Sequence, residues 1–214
     1  MLAALLDLVL PLACGGCGAA GTSWCRRCAA DLADHPARVT PRVDPGVPVW
    51  SLGPYTGARR RAVIVAKERG RRDLAAPLGF AWAVAVSRLR RWGELPAGPL
   101  LVVPAPTRVR AARARGGDPV TRAARGAADH DRRLHVHPVL RTTAGVRDSV
   151  GLDAAARQRN LAGRIVVRAG AVPRTLPVLV VDDVVTTGAT AREAVRALRK
   201  AGFRPVGVLT SAHA

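Results

Sequence analysis

Hydrophobic positions in this chain fall into short unbroken runs, and stretches of helical spacing separate them. PVLVV (177–181) contains no polar residue, so LPVLVVDD is read as a strand buried on both faces of a sheet. PLLVVPAP (99–106) has the same character and leaves the sheet through a Pro-x-Pro turn. VPVWSLGPYTG predicts a strand ending near Gly53 or Pro54, LHVHPVL another, and PVGVLTSA the last. Between these runs, RRRAVIVAKERGRRD predicts a helix broken by Gly70. LAAPLGFAWAVAVSRLRRW predicts a mostly buried helix with Trp82 and Trp92 as packing residues. Further helices are expected over 119–129, over LDAAARQRNLAG with Asp153 near its cap, and over TAREAVRALRKAG up to Gly202. Strands alternating with helices predict an α/β domain with a mostly parallel central sheet over residues 47–214. The strand order is not legible at this level.

Residues 1–40 have a different character. MLAALLDLVLPLAC is apolar, but it lacks a basic leader and Asp7 interrupts it, which favours a short helix over a signal peptide. No other apolar run approaches bilayer-spanning length, so a cytoplasmic protein without a membrane span is expected. ADLADHPARVTPRVDPG reads as a connector. At 49% apolar the 214 residues suit a folded globule, and with aromatics at 3% the core must be aliphatic. The formal charge of +19 would attract a polyanion. Nearly all of it is arginine, with lysine only at Lys67 and Lys200, a bias that coding composition also produces. Charge alone therefore selects no ligand.

All four cysteines fall in CGGCGAAGTSWCRRC, as Cys14, Cys17, Cys25 and Cys28. Each C-x2-C step lets two thiolates converge in a tight turn whose glycines relieve crowding, and two such knuckles make a tetrahedral S4 site. A structural Zn2+ is the expected occupant, with iron in the same cage left open by spacing alone. Disulfides fit poorly with a chain that shows no export signal, and a redox C-x2-C would need only one pair. GCGAAG (16–21) formally matches a dinucleotide fingerprint, but it lies between metal-binding pairs and not between a strand and a long helix.

The apolar run of VLVVDDVVTTGAT ends in Asp182 and Asp183, beyond the carboxyl end of a strand, where ligands of parallel sheets bind. Neighbouring residues of an ideal strand face opposite ways, so the pair serves one ligand only where the chain is already turning. Behind them Thr186, Thr187, Gly188, Ala189 and Thr190 combine hydroxyls, a flexible glycine and a helix start whose amides form a phosphate cradle. Acids placed ahead of such a cradle suit a sugar phosphate: carboxylates accept from ribose hydroxyls while amides hold the 5′-phosphate. The plainer reading is a capped strand–turn–helix with solvated acids. Two like charges at a sheet edge are unfavourable, however, unless a donor or metal offsets them.

VLVVDDVVTTGAT closely resembles the phosphoribosyl-pyrophosphate motif of type I phosphoribosyltransferases. With the cysteine module in front, nearly the whole chain resembles the ComF competence family. AKERGRRDLAAPL is similar to the family's basic segment, with Lys67, Gly70 and Arg71 in matching roles. VVPAPTRVRAARARG resembles its Pro-x-Pro and arginine segment, where Arg108 and Arg115 correspond best. RQRNLAG resembles its late motif through Arg157 or Arg159 and Asn160. Two places depart from the pattern: GGDPV stands where Phe-Asn-Gln commonly follows Arg-Gly, and RTTAGVRDSVGLD alters the segment before the late arginine.

The resemblance implies a type I phosphoribosyltransferase-like domain that binds phosphoribosyl pyrophosphate, or a nucleotide, with Mg2+. In a transferase, a nitrogen nucleophile would displace pyrophosphate from C1. Asp182 and Asp183 would hold the ribose hydroxyls directly or through Mg2+-bound water. Arg108 and Arg115 would face the pyrophosphate, where charge accumulates. No general base stands out; His130, His135, His137 and His213 qualify by chemistry only, and HVH (135–137) reads as surface histidines. The alternative implied by the same resemblance is a non-catalytic competence factor that contacts single-stranded DNA and DNA-uptake proteins, or a nucleotide sensor that keeps the phosphate pocket.

Overall fold

The computed structural model describes residues 12–33, 35–106, 118–143, 163–168, 170 and 172–214. Its centre is a six-stranded sheet built from β1 (Ala37–Val39), β2 (Val49–Ser51), β3 (Leu100–Pro104), β4 (Leu134–Val136), β7 (Pro177–Val185) and β8 (Arg204–His213). The order is β1-β2-β8-β7-β3-β4, and every pairing is parallel except the antiparallel edge pair β1–β2. The architecture is therefore mixed α/β with a mostly parallel central sheet, as the alternation of runs predicts. β5 (Leu140–Thr142) and β6 (Ile165–Val167) form a separate antiparallel pair.

Strand alternation divides the core between the two faces of the sheet. Leu179 and Val181 of β7 join Leu100, Val102 and Leu209 against α2 (Gly57–Glu68), α3 (Ala75–Arg91) and α4 (Pro119–His130). Val178 and Val180 join Leu101, Val103 and Val208 against α5 (Ala189–Lys200) and the β5–β6 pair. β3 and the first five residues of β7 are buried throughout, which is why both appear in the sequence as unbroken apolar runs. Burying a leucine such as Leu179 on such a sheet contributes about 1.5–3 kcal/mol.

Several expectations need adjusting. LHVHPVL is not one strand: β4 ends at Val136, the last bond to the central sheet is made by His137 N–H, and β5 begins at Leu140 in the smaller sheet. Pro138 stands at that break, and it has no N–H to donate to a ladder. His135 lies within β4, and His137 just beyond it still donates its N–H to Val102 O of β3 at 3.0 Å. The connector after the cysteines contains structure of its own, the end of α1 (Arg26–Leu32) and the whole of β1. Trp82 is buried, with its Nε1 donating to Ser211 Oγ at 3.0 Å, whereas Trp92 is half-exposed and stacks on His35. The helix expected over LDAAARQRNLAG lies almost wholly outside the described residues, as does the one expected at the N-terminus.

α3 and α4 touch backbone to backbone at Gly79 and Gly126. A Cβ on Gly79 would lie 2.5 Å from the Gly126 carbonyl carbon and 2.6 Å from the Ala127 nitrogen. Gly79→Val should therefore force the helices apart at a cost of about 2–3 kcal/mol, lowering Tm by roughly 4–12 °C in thermal melts. Gly98→Val, where a Cβ meets nothing within 4 Å, should melt close to wild type. Equal melting of the two variants would contradict this account of the helix pair.

Candidate functional site

Two side-chain groups have chemistry that packing alone does not require. The first is the cysteine cage. Cys14 and Cys17 lie in a turn closed by Gly18 N–H donating to Cys14 O at 2.9 Å; Cys25 caps α1, and Cys28 lies in its first turn. The four sulfurs all lie within 4.8 Å of one another, with Cys17 and Cys25 Sγ 3.7 Å apart. Tetrahedral coordination by ~2.3 Å metal–sulfur bonds puts sulfurs roughly 3.8 Å apart, so the cage has the size a tetrathiolate metal needs. A Cβ on Gly16 would meet Cys28 Sγ at 2.6 Å, which explains a glycine inside the first knuckle.

Electrostatics in the cage favour a cation. Burial pushes the Cys14 thiol up, but N–H groups of Cys25, Cys17 and Gly16 outweigh it and leave Cys14 lowered to about 6. One of these, Cys25 N–H, donates to Cys14 Sγ at 3.4 Å. Burial, then hydrogen bonds with Cys25, Cys17 and Cys14, push Cys28 well up. A site that favours one thiolate and resists another needs a positive ion to ionise all four. The residues fit a metal such as zinc, and this is the one such cluster among the described residues.

The module is bound firmly to the sheet domain. Arg71 Nη1 donates to Ala13 O at 3.0 Å, Arg59 pairs with Asp31 at 3.2 Å, and Leu32 of α1 lies in the main core. A Cβ on Gly15 would strike Leu74 at 2.5 Å, so the first knuckle rests directly on the turn before α3.

The second group lies at the C-terminal end of β7. The strand does not stop at the acids; it continues through Asp182 and Asp183 to Val185, with Asp182 in register with Thr210 of β8. Each acid bends back on its own backbone: Asp182 Oδ1 accepts from Asp183 N–H and Asp183 Oδ1 from Val184 N–H, both at 2.8 Å. Lys67, in the last turn of α2, donates Nζ to Asp183 Oδ2 at 2.8 Å, with side chains 40% and 18% exposed. Asp182 is half-buried. Burial first, then the neighbouring charge of Asp183, raises it well above the ordinary carboxylate value, while the charge of Lys67 pulls the other way. If both acids ionise, a single lysine leaves the site one negative charge in excess, which suits hydroxyl donors or a divalent cation.

The turn after β7 leads directly into α5. Gly188 is its N-cap with φ +87° and ψ −3°, and Ala189 begins the helix. Thr186 is exposed and Thr187 and Thr190 are half-buried; Thr187 Oγ1 accepts weakly from Ala189 N–H at 3.4 Å. The amides of Thr190 and Ala191 fall in the first helical turn, which offers them no carbonyl of its own. Gly188 is needed for its left-handed backbone and for a close approach, but the approaching group is the protein itself. A Cβ there would lie 2.4 Å from Val43 O and 2.8 Å from the Pro41 side chain.

Asp182, Asp183 and residues 186–190 follow one another along one chain connection, but β7 stays extended through both acids, and the turn expected at the pair comes only after Val185. Arg108, Arg115, Arg157, Arg159 and Asn160 lie outside the described residues. His35 stacks on Trp92 at 5.9 Å and His130 meets the Phe80 ring edge-on at 5.2 Å, while His213 ends β8. Sequence reasoning missed two contacts, Lys67 on Asp183 and the 41–43 segment on Gly188. The first joins residues 116 positions apart, and only the resemblance had drawn attention to Lys67. No helix among the described residues is long and apolar enough to cross a membrane. No protein-family model matches the chain, and no curated protein matches it.

Proposed function

We propose that this chain is a phosphoribosyltransferase-like protein of the ComF type, with a structural zinc in its four-cysteine module and a pocket for phosphoribosyl pyrophosphate at the end of β7. The observation that carries the reading is an acid pair of which Asp183 lies 2.8 Å from Lys67, followed after two residues by a turn into a glycine-capped helix start. Asp182 and Asp183 accept from the ribose hydroxyls. The amides and hydroxyls of residues 186–190 receive the 5′-phosphate. Lys67 neutralises Asp183 before the ligand arrives and lies within reach of an anionic group beside the ribose. Mg2+, carried on the diphosphate, supplies charge neutralisation there.

A transferase with this pocket works mainly by positioning: the sugar is held at both ends while a nitrogen nucleophile attacks C1 and pyrophosphate departs. Calorimetric titration with phosphoribosyl pyrophosphate and Mg2+ tests the pocket. Wild type should bind, and the Asp182→Ala/Asp183→Ala double variant should not. Lys67→Met should bind about ten- to hundredfold more weakly, the effect of one charge-assisted hydrogen bond. Uptake that ignores all three side chains would refute the assignment. Pyrophosphate release across a panel of bases and amines then separates an enzyme from a sensor.

A second reading, a factor that contacts single-stranded DNA, draws on the net charge of +19 and on Arg60, Arg61, Arg69 and Arg72, all exposed on α2 and the turn behind it. Binding that weakens steeply with salt would support it. The two readings are compatible, because none of these arginines is among the residues assigned to the pocket.

A further inference from the structure

We propose that the backbone of Val43 is a positioning element of the phosphate cradle, locking the Thr187–Gly188 peptide so that its N–H, and not its carbonyl, is offered to an anion. This rests on the sugar-phosphate reading of the pocket and adds to it a residue from the connector behind the cysteine module.

The geometry is specific. Val43 N–H donates to Thr187 O at 2.8 Å, and Val43 itself is buried at 8% exposure. The described chain contains no cis peptide. In a trans peptide the carbonyl and the following N–H point in opposite directions, so fixing Thr187 O on the connector sends Gly188 N–H to the other side of the turn.

That orientation needs holding. Gly188, at φ +87° and ψ −3°, has the backbone of the third residue of a type II turn. Type I and type II turns differ by a flip of the central peptide, and glycine tolerates either form. A flip here would turn a carbonyl oxygen to where the amide stood, replacing a donor to phosphate with a repelling acceptor. The bond from Val43 opposes that flip from outside the turn.

The connector is itself anchored. Arg199 Nη2, at the far end of α5, donates to Gly46 O at 2.8 Å, and Gly46 N–H donates to Asp44 Oδ1 at 2.7 Å. Val39 and Val47 pack on the core beneath α5. The segment therefore approaches the turn as a fixed wall.

The test compares Val43→Pro, which removes the donor, with Val43→Ala, which keeps it. Both are titrated with phosphoribosyl pyrophosphate and Mg2+. Val43→Pro should bind about tenfold more weakly, the worth of one hydrogen bond of about 1.4 kcal/mol. Val43→Ala should stay within about twofold of wild type by the same argument. Hydrogen exchange on wild type gives a second readout: because coupling is reciprocal, ligand should slow exchange of the Val43 amide, by roughly fivefold or more. Should Val43→Pro fail to melt cooperatively, that exchange measurement decides alone. Equal affinity of the proline variant and wild type, equal weakening by alanine, or an amide indifferent to ligand each overturns the inference while the pocket stands. A wild-type chain that takes up no phosphoribosyl pyrophosphate overturns the pocket reading itself and this inference with it.

Discussion

Stripping the metal with a strong chelator, or replacing Cys28 with serine, should lower the melting temperature by about 6–20 °C and release one zinc per chain. The size of the effect follows from two magnitudes. Structural zinc binds small modules with an apparent ~10–16 kcal/mol, and this energy is folding energy because the site does not preexist in the unfolded chain. If only about 3–5 kcal/mol of that reaches global stability, a chain of this size loses ~2–4 °C for each kcal/mol. A substantial share should reach it, since Gly15 rests on Leu74, Arg71 holds Ala13 O and Arg59 pairs with Asp31. Four free thiols should become titratable after chelation, and the protein should be colourless before it; a coloured protein would assign iron to the cage. A metal-free chain that melts like the native one would remove the structural role altogether. Loss of the module should also weaken binding at the proposed sugar-phosphate pocket. Arg71, which holds Ala13, follows four residues after Lys67, which holds Asp183, so the end of α2 and its following turn serve both sites.

The parts of this fold that were legible in advance are those whose physics is local. The apolar runs of β3 and β7 announce strands covered on both faces, and both are buried as expected. α2 ends before Gly70, at φ +63°, and α5 before Gly202, at φ +81°, because a left-handed residue closes a helix most readily as glycine. The four-cysteine spacing announces its own convergence for the same reason, since each pair needs only a tight turn.

Features that depend on distant partners were not legible. β1 and β6 have three residues each and α1 has seven, too short for a hydrophobic period to emerge. The order β1-β2-β8-β7-β3-β4 is decided by packing between segments far apart in the chain. The acids were expected beyond the strand, yet β7 carries them within its length, because the parallel partner β8 extends to His213 and keeps pairing with β7 as far as Val185. The Val43 contact with Thr187 is of the same kind: nothing in TPRVDPG announces a backbone amide aimed at a turn more than a hundred residues later.

Asp182→Asn should make the protein more stable at neutral pH while weakening its hold on phosphoribosyl pyrophosphate. Burial and the charge of Asp183 raise the Asp182 carboxyl well above its ordinary 3.8, against the pull of Lys67. A carboxyl raised in the folded state binds its proton more tightly there than in the unfolded chain. Its contribution is therefore most favourable below the unfolded value, declines as pH rises from that value through the folded one, and is fully unfavourable above it. Asparagine keeps an oxygen able to accept from Asp183 N–H, as Asp182 Oδ1 does at 2.8 Å, but carries no charge at any pH. The variant should thus melt higher than wild type at pH 7, by roughly 2–4 °C for each kcal/mol of relieved strain. The gap should close as pH falls towards about 4, where an unfolded aspartate takes up its proton. Affinity should move the other way, falling about ten- to hundredfold, since a charge-assisted hydrogen bond to a ribose hydroxyl is worth about 1.5–3 kcal/mol. Opposite movement of stability and binding is the mark of a group kept in an unfavourable setting for a ligand's sake. Thermal melts from pH 4.5 to 8, paired with calorimetry, decide the matter: a variant that melts lower at pH 7, or binds as tightly as wild type, would mean that Asp182 serves the fold and not the sugar.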